Sequence, residues 1–291
     1  MVPGHAERPD RLRAITRCLT DTGLLADLTL RTAHPVSDDL LATVHDRRYL
    51  ETLAALSPKT GLVPLDPDTS MCPASLKAAH MATGAVVDAV SAVLDGEADT
   101  AFCAVRPPGH HAEHDAAMGF CFYNSVAVGA SLALGRPGIE RVAVLDFDVH
   151  HGNGTVNIFQ DRPEVLVCSA FQHPFYPHRY HQVDRPNIVN TPLPAGTGSR
   201  DWRAALERDW LPALDAHRPD LILVSAGFDA HRDDPLAELE LTEADYAWVT
   251  GLIRDAARRF AAGRVVSALE GGYDLNALAR SVHAHVSALA A

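Results

Sequence analysis

The chain of 291 residues is poor in lysine, having only Lys59 and Lys77, so nearly all of its positive charge is arginine. Together with abundant alanine, this reads as codon bias before it reads as function. No apolar run of about 18 residues is present, which rules out a membrane-spanning helix. The start, Met1-Val2-Pro3-Gly4-His5-Ala6-Glu7-Arg8, has charges and a proline where a secretion signal needs an apolar stretch, so the expected location is the cytoplasm. The cysteines (Cys18, Cys72, Cys103, Cys121 and Cys168) are odd in number and lack C-x-x-C spacing, which argues against a disulfide scaffold or a cysteine-rich zinc site. Basic residues are outnumbered, 25 against 37 acidic, and the net charge of -12 would repel a phosphate backbone, so nucleic acid is not an expected partner. There is no Ser/Gly linker, low-complexity tract or internal repeat, and one domain over residues 1–291 is expected. The one excess is histidine, sixteen residues, several of them clustered.

Short apolar runs rich in β-branched residues recur at 100–105, 141–146, 164–169, 220–226 and 263–269, and each reads as a buried strand. Helix-period segments lie at 75–94, 201–213, 242–261 and 276–289. Strands alternating with helices predict an α/β fold, a single doubly wound and mainly parallel sheet flanked by helices. Ligands of such sheets bind beyond the carboxyl ends of the strands. Four of the five putative strands run into polar, titratable segments there: Arg106-Pro-Pro-Gly-His110-His111, Asp146-Phe-Asp148-Val-His150-His151-Gly-Asn153, Gly227-Phe-Asp229-Ala-His-Arg-Asp233-Asp234, and Glu270-Gly271-Gly272-Tyr273.

Asp148 and His150 stand two apart at a strand end, so extended backbone turns both side chains to one side, where they can grip one ion. Asp234, before a proline that stiffens its loop, is the expected second carboxylate. Two oxygens and one imidazole leave a fourth position open, as a catalytic zinc requires. His110 and His111 follow a rigid Pro-Pro-Gly turn and suit a general base with an electrostatic partner. Asp146 and Asn153 can orient the two rings, and Gly271-Gly272 lets Tyr273 approach a bound carbonyl. Taken singly, a D-x-H pair is equally an ordinary loop, Asp-Pro a turn, and Gly-Gly-Tyr a turn. Their convergence at one end of one sheet is the evidence.

Together the segments HAERPDRL (5–12), LDPDT (65–69), RPPGHHA (106–112), GFCFYN (119–124), DFDVHHGNGT (146–155), SAGFDAHRDDPL (225–236) and LEGGYDL (269–275) resemble the histone deacetylase family. That group includes the acetylpolyamine amidohydrolases and has the arginase-deacetylase fold. The resemblance covers the chain almost from end to end. It implies one zinc per chain held by Asp148, His150 and Asp234. It makes His110 and His111 the tandem catalytic histidines, backed by Asp146 and by Asn153; the latter is a class II-like variant of an aspartate. Tyr273 becomes the tyrosine that polarises the acetyl carbonyl. Phe120 and Tyr176 become aromatic walls of an acyl-lysine tunnel, with Gly119 and Gly271 beside the substrate, Asp68 at the rim and Arg11 near an acetate exit. A potassium ion is implied near Asp146, Asp148, His150 and Ser169.

Two departures stand out. Ser169-Ala170-Phe171-Gln172-His173 replaces the usual Ser-x-His, and Pro177-His178-Arg179-Tyr180 replaces the Pro-Gly-Thr-Gly after the tunnel aromatic. The family's first strand is also expected to be missing. The implied reaction is zinc-dependent hydrolysis of an N-acetyl amide, of acetyl-lysine or of a small acetylated amine such as an acetylpolyamine. An arginase-like ureohydrolase with two manganese ions would need a carboxylate where Gly152 stands. A catalytically silent reader of acetylated ligands is the other alternative.

Overall fold

The computed structural model describes residues 4–291. Helix α1 (Asp10–Asp21) is followed by a 3-10 turn (Leu24–Asp27), short helix α2 (Asp38–Leu41), α3 (Arg47–Leu56) and a two-stranded hairpin, β1 (Val63–Pro64) with β2 (Ser70–Met71). The long α4 (Ser75–Leu94) leads into the main sheet. That sheet alternates with helices along the chain: β3 (Thr100–Cys103), α5 (Ser125–Leu134), β4 (Val142–Asp146), α6 (Asn153–Phe159), β5 (Val165–Gln172), β6 (Ile188–Leu193), α7 (Ser199–His217), β7 (Leu221–Ala226), α8 (Glu243–Phe260), β8 (Val265–Leu269) and α9 (Leu275–Ala290).

The six strands run in the order β3-β8-β7-β4-β5-β6, and every pairing is parallel. Every residue of β4, β7 and β8 is buried, as a parallel sheet covered on both faces demands. Alternate residues feed opposite cores. Ala143 and Leu145 of β4 join Trp202, Leu206, Trp210 and Tyr246 from α7 and α8 on one face. Val142 and Val144 join Val86, Val90 and Val93 of α4 and Val126 and Ala130 of α5 on the other. In α4 these valines recur at helical spacing, which is why the segment coils rather than extends.

The doubly wound parallel sheet expected from the sequence is observed, and its five anticipated strands lie within a few residues of their expected bounds. The additional edge strand β6 hides its signal because Pro192 sits in it and half of its residues are partly exposed. Helix α8 opens with a reciprocal Thr242–Asp245 capping box and α9 with Asp274 accepting from the amides of Asn276 and Ala277.

Strand order reverses between β4 and β7: the chain moves outward from β4 through β5 to β6, then returns to β7 on the other side. The crevice beyond these two strand ends is therefore where loops part and a ligand can enter.

Candidate active site

The loops after β4 and β7 meet at that crevice in a register set by the sheet. Asp146 pairs with Ser225, so counting onward puts His150 level with Asp229. Asp148, His150 and Asp229 each offer a ligand atom within 4.8 Å of the others. His150 Nδ1 is 3.1 Å from Asp148 Oδ1 and 3.2 Å from Asp229 Oδ2. Asp148 and Asp229 are fully buried, and among the described residues Asp229 Oδ2 has no well-aligned hydrogen bond, only its 3.2 Å approach to His150 Nδ1. A buried carboxylate oxygen so thinly satisfied is costly unless something positive completes it. Two glycines keep the space around the carboxylates: a Cβ at Gly271 would lie 2.0 Å from Asp229 Oδ2, and one at Gly227 would lie 2.1 Å from Asp148 Oδ2. Two carboxylates and one imidazole, close, buried and incompletely satisfied, fit a divalent cation.

This corrects the expectation for Asp234. Its carboxylate turns to the backbone instead, accepting from the amides of Tyr273 (2.6 Å), Asp274 (3.3 Å) and Leu236 (3.0 Å). The physical reason is distance along the chain: Asp234 lies five residues beyond Asp229, past the turn, and buttresses the loop carrying Tyr273. Burial, with the charge of Asp229 adding to it, pushes its pKa up to about 7.

The tandem histidines sit side by side, ring centroids 4.0 Å apart, and their partners differ. His110 Nδ1 is 2.9 Å from Asp146 Oδ2, and His111 Nδ1 is 2.6 Å from Asn153 Oδ1. Burial alone would depress both rings. At His110 the charges of Asp146, Asp148 and Glu270 overcome burial and hold the ring above its ordinary pKa. At His111 burial wins, reinforced by His110 and His150, and the ring is held well below its ordinary value. One histidine thus favours the charged form and its neighbour the neutral form, as a paired acid and base require.

A cavity of about 220 Å³ opens above, lined by Asp68, His111, Phe120, His150, Tyr176 and Tyr273 among others. Tyr176 meets the rings of His111 (5.2 Å) and His150 (5.9 Å) edge-on. Phe120 faces Tyr273 edge-on at 6.0 Å. Gly119 and Phe120 both have positive φ, 56° and 69°, and a Cβ at Gly119 would lie 2.2 Å from His111 Cδ2, so this turn tolerates only glycine there. Thr69 Oγ1 accepts from the Phe120 amide and donates to Asp68, tying the rim carboxylate to the aromatic wall. Arg11 is fully buried, donates to the Gly272 and Glu270 carbonyls, and lies over the Tyr273 ring at 5.0 Å. Ser169 pairs with Asp146 across β4 and β5, and its hydroxyl accepts from the Gly152 amide.

A profile described as the histone deacetylase domain matches residues 5–289. The chain belongs to the histone deacetylase family. It is 44% identical over 277 residues to a histone deacetylase-like amidohydrolase of Pseudomonas aeruginosa, covering 93% of this chain and 73% of the relative. It is 34% identical to a probable deacetylase of Archaeoglobus fulgidus, covering 94% of this chain and 77% of that one. The crystal structure of the HDA15 HD domain superposes with a TM-score of 0.91 at 34% identity, covering all of this chain and 86% of that one. Membership places the chain among hydrolases, with relatives named deacetylases or amidohydrolases.

Three site residues of this histone deacetylase family member are not singled out by the sequence alone. Asp229 lies in the SAGFDAHRDDPL segment, but only the β4–β7 register distinguishes it from Asp234. Phe175 stacks on His150 at 5.4 Å with the rings 18° from parallel, yet in sequence it is simply one aromatic of a pair with Tyr176. Glu270 ends its strand fully buried and accepts from the amides of Gly109 (2.6 Å) and His110 (3.1 Å), fixing the turn that presents both histidines. Its place directly before Gly-Gly-Tyr was the available signal.

Proposed function

We propose that this chain is a zinc-dependent deacetylase of the cytoplasm that hydrolyses N-acetyl amides, of acetyl-lysine or of a small acetylated amine, to acetate and the free amine. The observation that supports the reading is the meeting, beside one aromatic-lined cavity, of three side chains placed to hold a cation, two adjacent histidines with unlike partners, Asp146 and Asn153, and a tyrosine. Asp148, His150 and Asp229 would hold the metal. When bound, it supplies Lewis-acid polarisation of the acetyl oxygen and acidification of water.

The remaining roles belong to the chain. His111, neutral and hydrogen-bonded at Nδ1, presents Nε2 to take a proton from the attacking water. His110, held charged against Asp146, stabilises negative charge that develops nearby, and a histidine returns a proton to the leaving amine. Tyr273 donates its hydroxyl to the acetyl oxygen as charge builds there. Phe120, Tyr176 and Phe175 exclude water from the acyl group, and Asp68 at the rim suits a cationic or amide-bearing substrate. A potassium ion near Asp146, Asp148, His150 and Ser169 belongs to the same reading.

The arginase-like alternative finds no support at Gly152, where even a Cβ would lie 2.3 Å from Asp146 Oδ2. The test is turnover of a fluorogenic acetyl-lysine peptide, with and without a hydroxamate inhibitor, alongside a screen of acetylpolyamines. Hydroxamate-sensitive turnover is expected. Tight ligand binding without turnover would favour the silent reader instead.

A further inference from the structure

Behind His111 and Asn153 a row of polar groups continues to side chains that the scheme above leaves unused. Asn153 Oδ1 is 2.6 Å from His111 Nδ1, while Asn153 Nδ2 is 2.7 Å from Glu113 Oε1 and 3.3 Å from the His111 carbonyl oxygen. Glu113 Oε1 in turn is 3.2 Å from Arg179 Nη1. The Glu113 side chain is 2% exposed and that of Arg179 49%, so the row runs from the interior to the surface.

With Glu113 ionised beside Arg179, one assignment of donors and acceptors satisfies this row. Asn153 Nδ2 faces a carboxylate and a carbonyl, both acceptors. Turned over, the amide would set its oxygen 2.7 Å from a carboxylate oxygen with no proton between them. The amide oxygen therefore faces the ring, His111 carries its proton on Nδ1, and Nε2 is left as the acceptor. An asparagine alone does not impose this, because its amide can rotate and offer nitrogen instead. Glu113 removes that freedom, and its own backbone is fixed, its amide donating to Ala116 and its carbonyl accepting from His45 Nδ1. The contrast with His110 is chemical. There a carboxylate touches the ring directly; here the negative charge stands one amide away, supporting an imidazolium when it forms without holding the proton beforehand.

We propose that Glu113 is a positioning residue of the hydrolytic site, which locks the Asn153 amide so that His111 keeps the tautomer with a free Nε2, and supplies through that amide the charge an asparagine lacks. The inference rests on the reading of His111 as the proton acceptor.

A charge-swap series on the zinc-loaded 291-residue chain tests it with the acetyl-lysine peptide. Glu113→Gln is expected to lower kcat by about tenfold with KM changed less than about twofold, in line with losses seen when a group supporting an active-site histidine is removed. Asn153→Asp sets a carboxylate against Glu113 and should fall at least as far. In the double variant Glu113→Gln/Asn153→Asp, the glutamine amide can donate to the new carboxylate, and kcat should return to within about threefold of the parent. A purely structural role predicts no such rescue. Glu113→Gln at parental kcat, or a double variant no faster than either single one, overturns the proposal. Nitrogen-15 NMR of labelled histidine needs neither turnover nor a variant: the Nδ1–H form of His111 is expected, and the opposite tautomer overturns the inference. A parent that hydrolyses no acetyl amide yet shows the expected tautomer would instead refute the deacetylase reading.

Discussion

The pair Asp229 and Asp234 offers the sharpest test, because both are buried acids five residues apart and only one faces His150. Asp229→Asn keeps an oxygen to accept from the Val149 amide, now 3.0 Å from Oδ1, and removes a charge that stands beside Asp148. It also weakens the 3.2 Å contact with His150, and with the two effects opposed the metal-free variant should be about as stable as the parent. Its response to metal should differ. With zinc at a hundredfold excess over its dissociation constant, the parent gains about 2.7 kcal/mol. For 291 residues the unfolding entropy is roughly 0.6 kcal/mol/K, so the midpoint rises by about 4 °C. If losing one of three donors weakens binding about a hundredfold, the same zinc gives only about 0.4 kcal/mol and a shift under about 1 °C. Asp234→Asn should keep the full shift. Its loss is local, since the amide can keep its oxygen toward Tyr273 and Asp274 only by turning its nitrogen against the Leu236 amide, or the reverse, and about 1–3 kcal/mol of loop ordering is at stake. Turnover should fall while zinc content stays at one per chain. Thermal midpoints of stripped protein with and without zinc, with elemental analysis, read both. A zinc shift kept by the Asp229 variant and lost by the Asp234 variant would refute the assignment.

Tyr273→Phe keeps the ring against Phe120 and Arg11 and removes only the donor, so kcat should drop by roughly 100-fold, about 2.7 kcal/mol, with KM little changed; a raised KM at intact kcat would make it a binding residue. Two buried histidines remote from the triad should make the protein acid-sensitive: burial lowers His45 to about 4 and His285 to about 3, and His45 Nε2 already accepts from the Asn124 amide. Because the folded state resists protons that the unfolded chain takes up near pH 6.5, stability is full above that pH and is lost as pH falls. Each histidine should cost about 2 kcal/mol between pH 8 and pH 5, read as the pH dependence that urea denaturation of a His285→Gln variant loses against the parent, since raised groups such as His110 and His150 gain stability over the same range; an unchanged pH dependence would contradict this. Trp210→Ala, at a fully buried ring under the sheet, should lower stability by about 3–5 kcal/mol while leaving kcat per folded molecule unchanged.

The sequence alone determined the layered α/β architecture and the end of the sheet at which chemistry gathers. Those depend on local periodicity and on polar groups immediately following apolar strands, both visible along the chain, and the tandem histidines with Asp146 and Asn153 could be named from them. Strand β6 escaped for want of a clean apolar pattern, and α5 because its run of Ser, Val, Ala and Leu fits a buried strand as well as a helix. What only the tertiary structure decided are relations between segments. Asp229 and Asp234 differ little as letters, both lying after β7 near a turn. The parallel register of β4 with β7 sets one level with His150 and leaves the other to hold the Tyr273 loop. Glu113 and Arg179 likewise have no local signature. They matter because α6 begins at Asn153 and carries its amide between a histidine 42 residues away and a glutamate 40 residues away. Contacts of that span come from chain closure, to which no short stretch of sequence bears witness.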